Sequence, residues 1–167
     1  MRAQAVTWSP DQQRFAFLQL ESDHVDLYMV TIATKKAIRI NKSPLNIVLN
    51  RYQWLSSESL LYFTAIKKPT EAPIRAAVPD GPTMQENTGK ASPRPTFQDL
   101  IKSPFDESLF AFYATAQLVI NNKGIESKIS APALYKSVSP SPDKRYMLTE
   151  IIKPPFSYSV PAGGFAS

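Results

Sequence analysis

The feature that most constrains this chain is a turn-and-strand unit that occurs three times. Thr7-Trp8-Ser9-Pro10-Asp11 leads into FAFLQL at 15–20, Gln53-Trp54-Leu55 into LLYFT at 60–64, and SPSPD at 139–143 into YMLT at 146–149. Pro and Asp suit a tight turn, and the runs that follow are aromatic-rich and strand-forming. Trp8 and Trp54 are 46 residues apart, while Pro10 and Pro142 are 132 apart. The longer interval holds one further repeat plus about forty extra residues.

The segments between the copies complete the unit. VDLYMVTI at 25–32 is apolar on both sides, as in a buried strand. AIRI at 37–40 is edge-like, with cations that blunt pairing. In the second copy, 114–121 supplies the third strand and 125–129 the fourth. The expected fold is therefore all-β: a partial β-propeller of two four-stranded antiparallel blades plus the start of a third. Residues 1–167 form one domain, with blades at 1–50 and 51–131 and the third beginning at 132–167. Propellers of the usual kind have about four to eight blades, so further blades are expected outside this chain.

The extra residues form an insertion at 67–113 in the second blade. Its first part, 79–95, holds four prolines and two glycines and little apolar surface, which predicts a loop. Its second part predicts two short helices. Thr96 with Asp99, and Ser103 with Asp106, resemble capping boxes, and Pro104 suits a first helical turn. Phe97, Leu100 and Ile101 share one face; Phe105, Leu109 and Phe112 or Tyr113 share another.

GPTMQENTGK at 81–90, PTFQDLIKSPFDESLFAFYATAQL at 95–118 and SVSPSPDKRYMLTEIIKPPFSYSVP at 137–161 resemble the propeller region of the glutamyl endopeptidase branch of the prolyl oligopeptidase family of serine peptidases. The resemblance runs from about Trp8 to Phe165. Gln12 and Lys144 stand where its SPD turns continue with Gly, Pro154 and Pro155 replace a basic residue before PFSY, and 162–167 drift from the pattern. The resemblance implies a propeller that restricts peptide access to a Ser-His-Asp site in a C-terminal α/β-hydrolase domain, and a preference for glutamate. Arg75, Lys90 and Arg94 are cations near the insertion, with no role assigned to any of them. The implied partners are that hydrolase domain of the same parent chain and peptide substrates.

The chain itself carries no catalytic set. None of its five glycines flanks a serine in a G-x-S-x-G elbow, so the hydrolase segment is expected downstream. Its one histidine, His24, falls in a polar turn and reads as a solvated loop residue. Asp106 and Glu107 suit a helix N-terminus. With no cysteine and one histidine, no metal site and no cofactor is expected. Asn41-Lys42-Ser43 matches the glycosylation triplet, a short and common pattern. Trp8, Phe17, Trp54, Tyr62, Phe110 and Tyr146 read as blade core. The candidate site is a substrate-access loop with Gln85, Glu86, Asn87 and Lys90, polar groups on a segment that packs poorly.

Charge and hydropathy exclude other classes. The net charge is +5, but the cations are dispersed with no run of five or six, so no nucleic-acid interface is expected. A weakly basic wall attracting acidic peptides is compatible with it. No apolar run is long enough to span a bilayer, and MRAQAVTWSP lacks a signal-peptide core. The compartment stays open, and a periplasmic, secreted or organellar parent fits. Open blade edges predict edge-to-edge self-association of the chain alone. The competing reading is a WD40-like propeller scaffold that binds a protein partner and has no peptidase activity.

Overall fold

The computed structural model describes residues 2–75 and 100–165. The two SPD turns within it are built alike, bond for bond. In the first, the Ser9 hydroxyl donates to Asp11 Oδ1 (2.6 Å), the Arg14 N–H donates to Ser9 Oγ (3.0 Å), and the Gln12 N–H closes on the Ser9 carbonyl (2.9 Å). In the second, Ser141 donates to Asp143 Oδ1 (2.6 Å), the Tyr146 N–H to Ser141 Oγ (3.0 Å), and the Lys144 N–H to the Ser141 carbonyl (2.9 Å). These serine bonds hold both aspartates below the usual carboxylate range. Gln12 and Lys144 sit at φ +59° and +60°, the left-handed region that favours glycine.

Each turn joins neighbouring strands of a meander. β1 (Arg2–Trp8), β2 (Arg14–Leu20), β3 (Val25–Thr31) and β4 (Lys36–Arg39) form a first antiparallel sheet in chain order. β5 (Gln53–Ser56), β6 (Ser59–Ala65), β7 (Ala116–Asn122) and β8 (Ile125–Lys128) form a second in the same order. β9 (Tyr135–Pro140) and β10 (Met147–Ile151) form a third, two-stranded ladder. The first two sheets repeat each other past their fourth strands: the Ile40 N–H bonds the Leu27 carbonyl, and the Ile129 N–H bonds that of Leu118. The chain is thus all-β in class, with one α-helix among the described residues.

The sheets stack face to face, and the pleat of β6 explains why. Leu60 and Tyr62 join Ala16, Leu18 and Leu27 in a core against the first sheet, while Leu61 and Phe63 join Leu118 and Tyr135 in a core toward the third. Every residue of β6 except its last is buried, and its central run from Leu60 to Phe63 is covered on both faces instead of alternating.

A polar clasp locks the first interface. β1 carries a bulge between Gln4 and Thr7, with Ala5 at φ +50°. The Tyr52 phenol reaches across to donate toward the carbonyls of Ala5 (2.5 Å) and Ala16 (2.6 Å) and accepts from the Thr7 hydroxyl (2.9 Å). Trp54 Nε1 donates to the same hydroxyl (3.0 Å). Burial pushes the Tyr52 phenol pKa up, so it stays a donor at neutral pH.

The helix α1 (Pro104–Ala114) begins as its sequence indicates. Ser103 caps it by accepting the Asp106 N–H (3.2 Å), and Pro104 opens it. The Asp106 carboxylate reaches one residue further back than a capping box requires and accepts the Lys102 N–H (3.0 Å). Phe110 and Ala114 turn into a separate apolar cluster with Ile101, Ile152, Phe156 and Phe165. Its rings meet edge-on at 5.2 Å (Phe110–Phe156) and 5.6 Å (Phe110–Phe165). The insertion is thereby docked on the chain's last described segment, which follows a cis Pro154–Pro155 bond.

Several expectations need correction. β1 was not foreseen as a strand, because RAQAV alternates weakly. Of the two expected helices, the one starting at Thr96 lies outside the described residues, apart from Leu100 to Lys102, which are irregular. The residues of α1 that pack into the apolar cluster are Phe110 and Ala114, and none of Phe105, Leu109, Phe112 and Tyr113 belongs to it. Trp8 and Tyr146 are 55% and 70% exposed and are not core. Trp8 instead heads a row with Phe15, Phe17 and Tyr28 on the outer face of the first sheet. Asn41 is buried, its amide bonded to Asp26 and to the Ser43 carbonyl and its Oδ1 accepting the Leu27 N–H, so the triplet is structural.

Two measurements check this account. Gln12→Gly and Lys144→Gly remove side chains from left-handed backbone and are expected to raise stability by about 0.5–1 kcal/mol each. Tyr52→Phe leaves the buried Ala16 carbonyl and the half-buried Ala5 carbonyl without this donor and is expected to cost about 1–3 kcal/mol. Urea unfolding midpoints read both.

Candidate functional site

A cleft sits where the insertion leaves and rejoins the second sheet. It has a volume of about 690 Å³ and is formed by the β2–β3 turn, the linker at 43–48, the exit of β6 at 65–70, and the C-terminal end of α1. Asn46 organises its floor. Its amide donates to the carbonyls of Tyr113 (2.7 Å) and Thr115 (3.1 Å), its Oδ1 accepts the Val48 N–H (3.1 Å), and its own N–H bonds the Phe63 carbonyl (2.9 Å). One side chain therefore ties together linker, strand and helix end.

The walls are apolar and open to solvent. Ile47, Val48, Ile66 and Tyr113 are all exposed, an unusual grouping for large apolar side chains. Lys67 and Lys68 also line it, with Lys67 Nζ 5.3 Å from the Phe112 ring centroid, as do Asp23 and His24.

His24 is held between two carboxylates, Asp23 Oδ1 at 2.7 Å from Nδ1 and Asp26 Oδ2 at 3.4 Å from Nε2. Asp26 is buried and is held by Asn41 Nδ2 (2.8 Å) and the Arg39 guanidinium (3.1 Å). The Asp23 bond, with the charges of both aspartates, raises the His24 pKa above its ordinary value, and the same bond lowers that of Asp23. This arrangement favours imidazolium and leaves neither ring nitrogen facing a hydroxyl, so His24 is not placed to act as a general base toward a nucleophile. Among the described residues, no group of three His, Asp or Glu converges as metal ligands.

A second cleft of about 730 Å³ opens between the first two sheets and is lined by Arg14, Arg39, Lys42 and Lys123. Carboxylates pair with three of these cations: Arg14 and Lys123 share Glu58, and Arg39 lies on Asp26, while Glu126 accepts the backbone N–H of Lys42.

Gln85, Glu86, Asn87 and Lys90 lie outside the described residues. The Arg75 guanidinium sits over the Phe105 ring at 5.8 Å. The cleft itself was missed in sequence reasoning. Its signal was the apolar pair Ile47-Val48 in the linker between the first two sheets.

The fold and clefts define a chain of stacked antiparallel sheets whose described residues bring together no catalytic set. Two curated plant proteins match it along nearly its whole length, each named probable glutamyl endopeptidase, chloroplastic. The one from Oryza sativa subsp. japonica is 35% identical over 98% of this chain and 19% of its own length. The one from Arabidopsis thaliana is 32% identical over 96% of this chain and 18% of its own length. The chain thus spans under a fifth of the relatives it matches. No family model matches it, and no solved structure does.

His24 gives a direct check, since it is the only histidine. Its raised pKa means that its ion pairs stabilise the fold fully below about pH 6.5, the unfolded value. That contribution is lost as pH rises through the folded value. An NMR titration is expected to place the His24 midpoint above 6.5, with the urea midpoint falling between pH 6 and pH 8. His24→Asn is expected to flatten that fall.

Proposed function

We propose that this chain is a non-catalytic, propeller-type part of a longer serine-type endopeptidase of the prolyl oligopeptidase family, in its glutamyl endopeptidase branch. The observation that carries the reading is the match to two proteins of that name across 96–98% of the chain. The structure supports the propeller element in two ways. The serine-closed turn recurs bond for bond, and the second sheet packs one face on the first sheet and the other on the third, as successive blades do.

In this reading the blades are 1–50, 51–131 and the start of a third at 132–167, and the insertion at 67–113 shapes peptide access to a hydrolase domain. The cleft at the root of the insertion supports an access role, because it places exposed apolar and cationic groups where the insertion meets the sheets. The outer face of the first sheet, with its aromatic row, is where a preceding blade would pack, and the exposed Leu148 on β10 marks the unfinished third blade. Left uncovered, these surfaces favour self-association of the chain alone.

The full-length gene product provides the test. Its nucleophilic serine is expected to react with a fluorophosphonate probe, and the 167-residue chain alone is expected to remain unlabelled and inactive on peptides. Deleting residues 81–112 from the full-length product is expected to relax its peptide-length preference. A product without a reactive serine overturns the peptidase reading in favour of a binding scaffold. An unchanged length preference overturns the access role alone.

A further inference from the structure

We infer that copies of this chain associate head to tail, with the outer face of the first sheet in one copy packed on the outer face of the third sheet in the next. This goes beyond the proposed function, since it requires neither a peptide nor a hydrolase domain.

The chain itself shows how such faces fit, because its sheets repeat position by position. The ladder pairs Trp8–Phe15, Trp54–Leu60 and Pro140–Met147 are equivalent, and they put Phe17 at the place of Tyr62. Each sheet then has two unlike faces. The bulky face of the second sheet carries Trp54, Leu60 and Tyr62 and packs on the first sheet. Its equivalent in the first sheet carries Trp8, Phe15 and Phe17, with Tyr28 stacked on Phe17 at 5.7 Å, and is the outer face. The smaller face of the first sheet, with Ala16 and Leu18, receives the bulky face of the second. In the third sheet Met147 and Ile151 turn toward the second, so the smaller face is the free one, and Leu148, at the place of Ala16, is 72% exposed there. One end of the stack thus offers a bulky face without its receiver, and the other a receiver without its bulky face.

The hydrogen bond that fixes the internal contact has its parts at both ends as well. Trp54 Nε1 donates to the hydroxyl of Thr7, which pairs with Ala16 in its ladder. Ser139 pairs with Leu148 and so holds the place of Thr7 on the free face of the third sheet, where it is exposed. Trp8, 55% exposed, holds the place of Trp54 and brings the matching indole N–H. Opposite charges are present too: Glu150 shares the free face with Leu148, and Arg39 pairs with Tyr28 on the aromatic face. Val6 holds the place of Tyr52, so the phenol bonds of the internal clasp have no equivalent. Association between copies is therefore weaker than the internal contact and depends on concentration. Because the two faces differ, the contact is heterologous, and copies add until a ring closes.

The test is sedimentation velocity of the 167-residue chain over a concentration series. The parent chain is expected to form species larger than a dimer, reversibly. Trp8→Glu disables one face and Leu148→Glu the other, so each variant alone is expected to stay monomeric. An equimolar mixture of the two is expected to give a dimer and nothing larger, because a single productive contact remains. Both substitutions fall on exposed side chains, so the urea midpoints should match the parent. Trp8→Phe and Ser139→Ala are each expected to weaken association about three- to tenfold, and the double variant no further than the weaker of the two, as for two ends of one hydrogen bond. A parent chain that stays monomeric, a charged variant that assembles as the parent does, or a mixture that stays monomeric overturns the inference, and additive losses overturn the Trp8–Ser139 bond. No peptidase activity is read, so that failure is separate from any result of the fluorophosphonate test.

Discussion

The structure depends on one constraint: the second sheet is buried on both of its faces. β6 places Leu60 and Tyr62 against the first sheet and Leu61 and Phe63 toward the third, so neither face can be left in water. Burying such side chains stabilises by about 1.5–3 kcal/mol each, which makes the stack the main source of cohesion. The outer sheets lack this double cover. The first leaves Trp8 exposed and the third leaves Leu148 exposed, and both read as surfaces awaiting another layer.

Polar groups fit within this stack because each is matched. Tyr62 illustrates the cost and its remedy. It is buried, and its phenol donates to Glu126 Oε1 (2.6 Å), which also accepts the Lys42 N–H (2.8 Å). Burial and the neighbouring carboxylate push the phenol pKa well up, so it remains a proton donor. Asp26 is handled in a similar way by Asn41, Arg39 and His24. Both networks bind a sheet to the linker that follows the first sheet, and this positions the linker as one wall of the insertion-root cleft.

The insertion is the one departure from the stack, and its helix is not simply a cover for its own sheet. Phe110 packs with Phe156 and Phe165 from the chain's far end, while Phe112 and Tyr113 face the cleft. A short helix with apolar residues on two sides is able to do both, since 3.6 residues per turn send positions 110 and 112 to different sides. The result joins the insertion, the linker and the last described segment around one opening.

Much of the architecture was legible in the residues themselves. The spacing of Trp8, Trp54 and the SPD turns, the apolar run of β6, and the Ser103-Pro104 start of α1 are local patterns, and local backbone preference is sufficient to produce them. The single histidine and the lack of a G-x-S-x-G elbow are read directly from the sequence. What only the tertiary structure decided was which apolar residues are covered. Trp8 and Trp54 look equivalent in sequence, yet one is exposed and the other packs between sheets, because burial depends on the neighbouring layer. The cleft has the same origin: Val48, Ile66 and Tyr113 come from three distant stretches and meet only when the sheets stack and the insertion folds back.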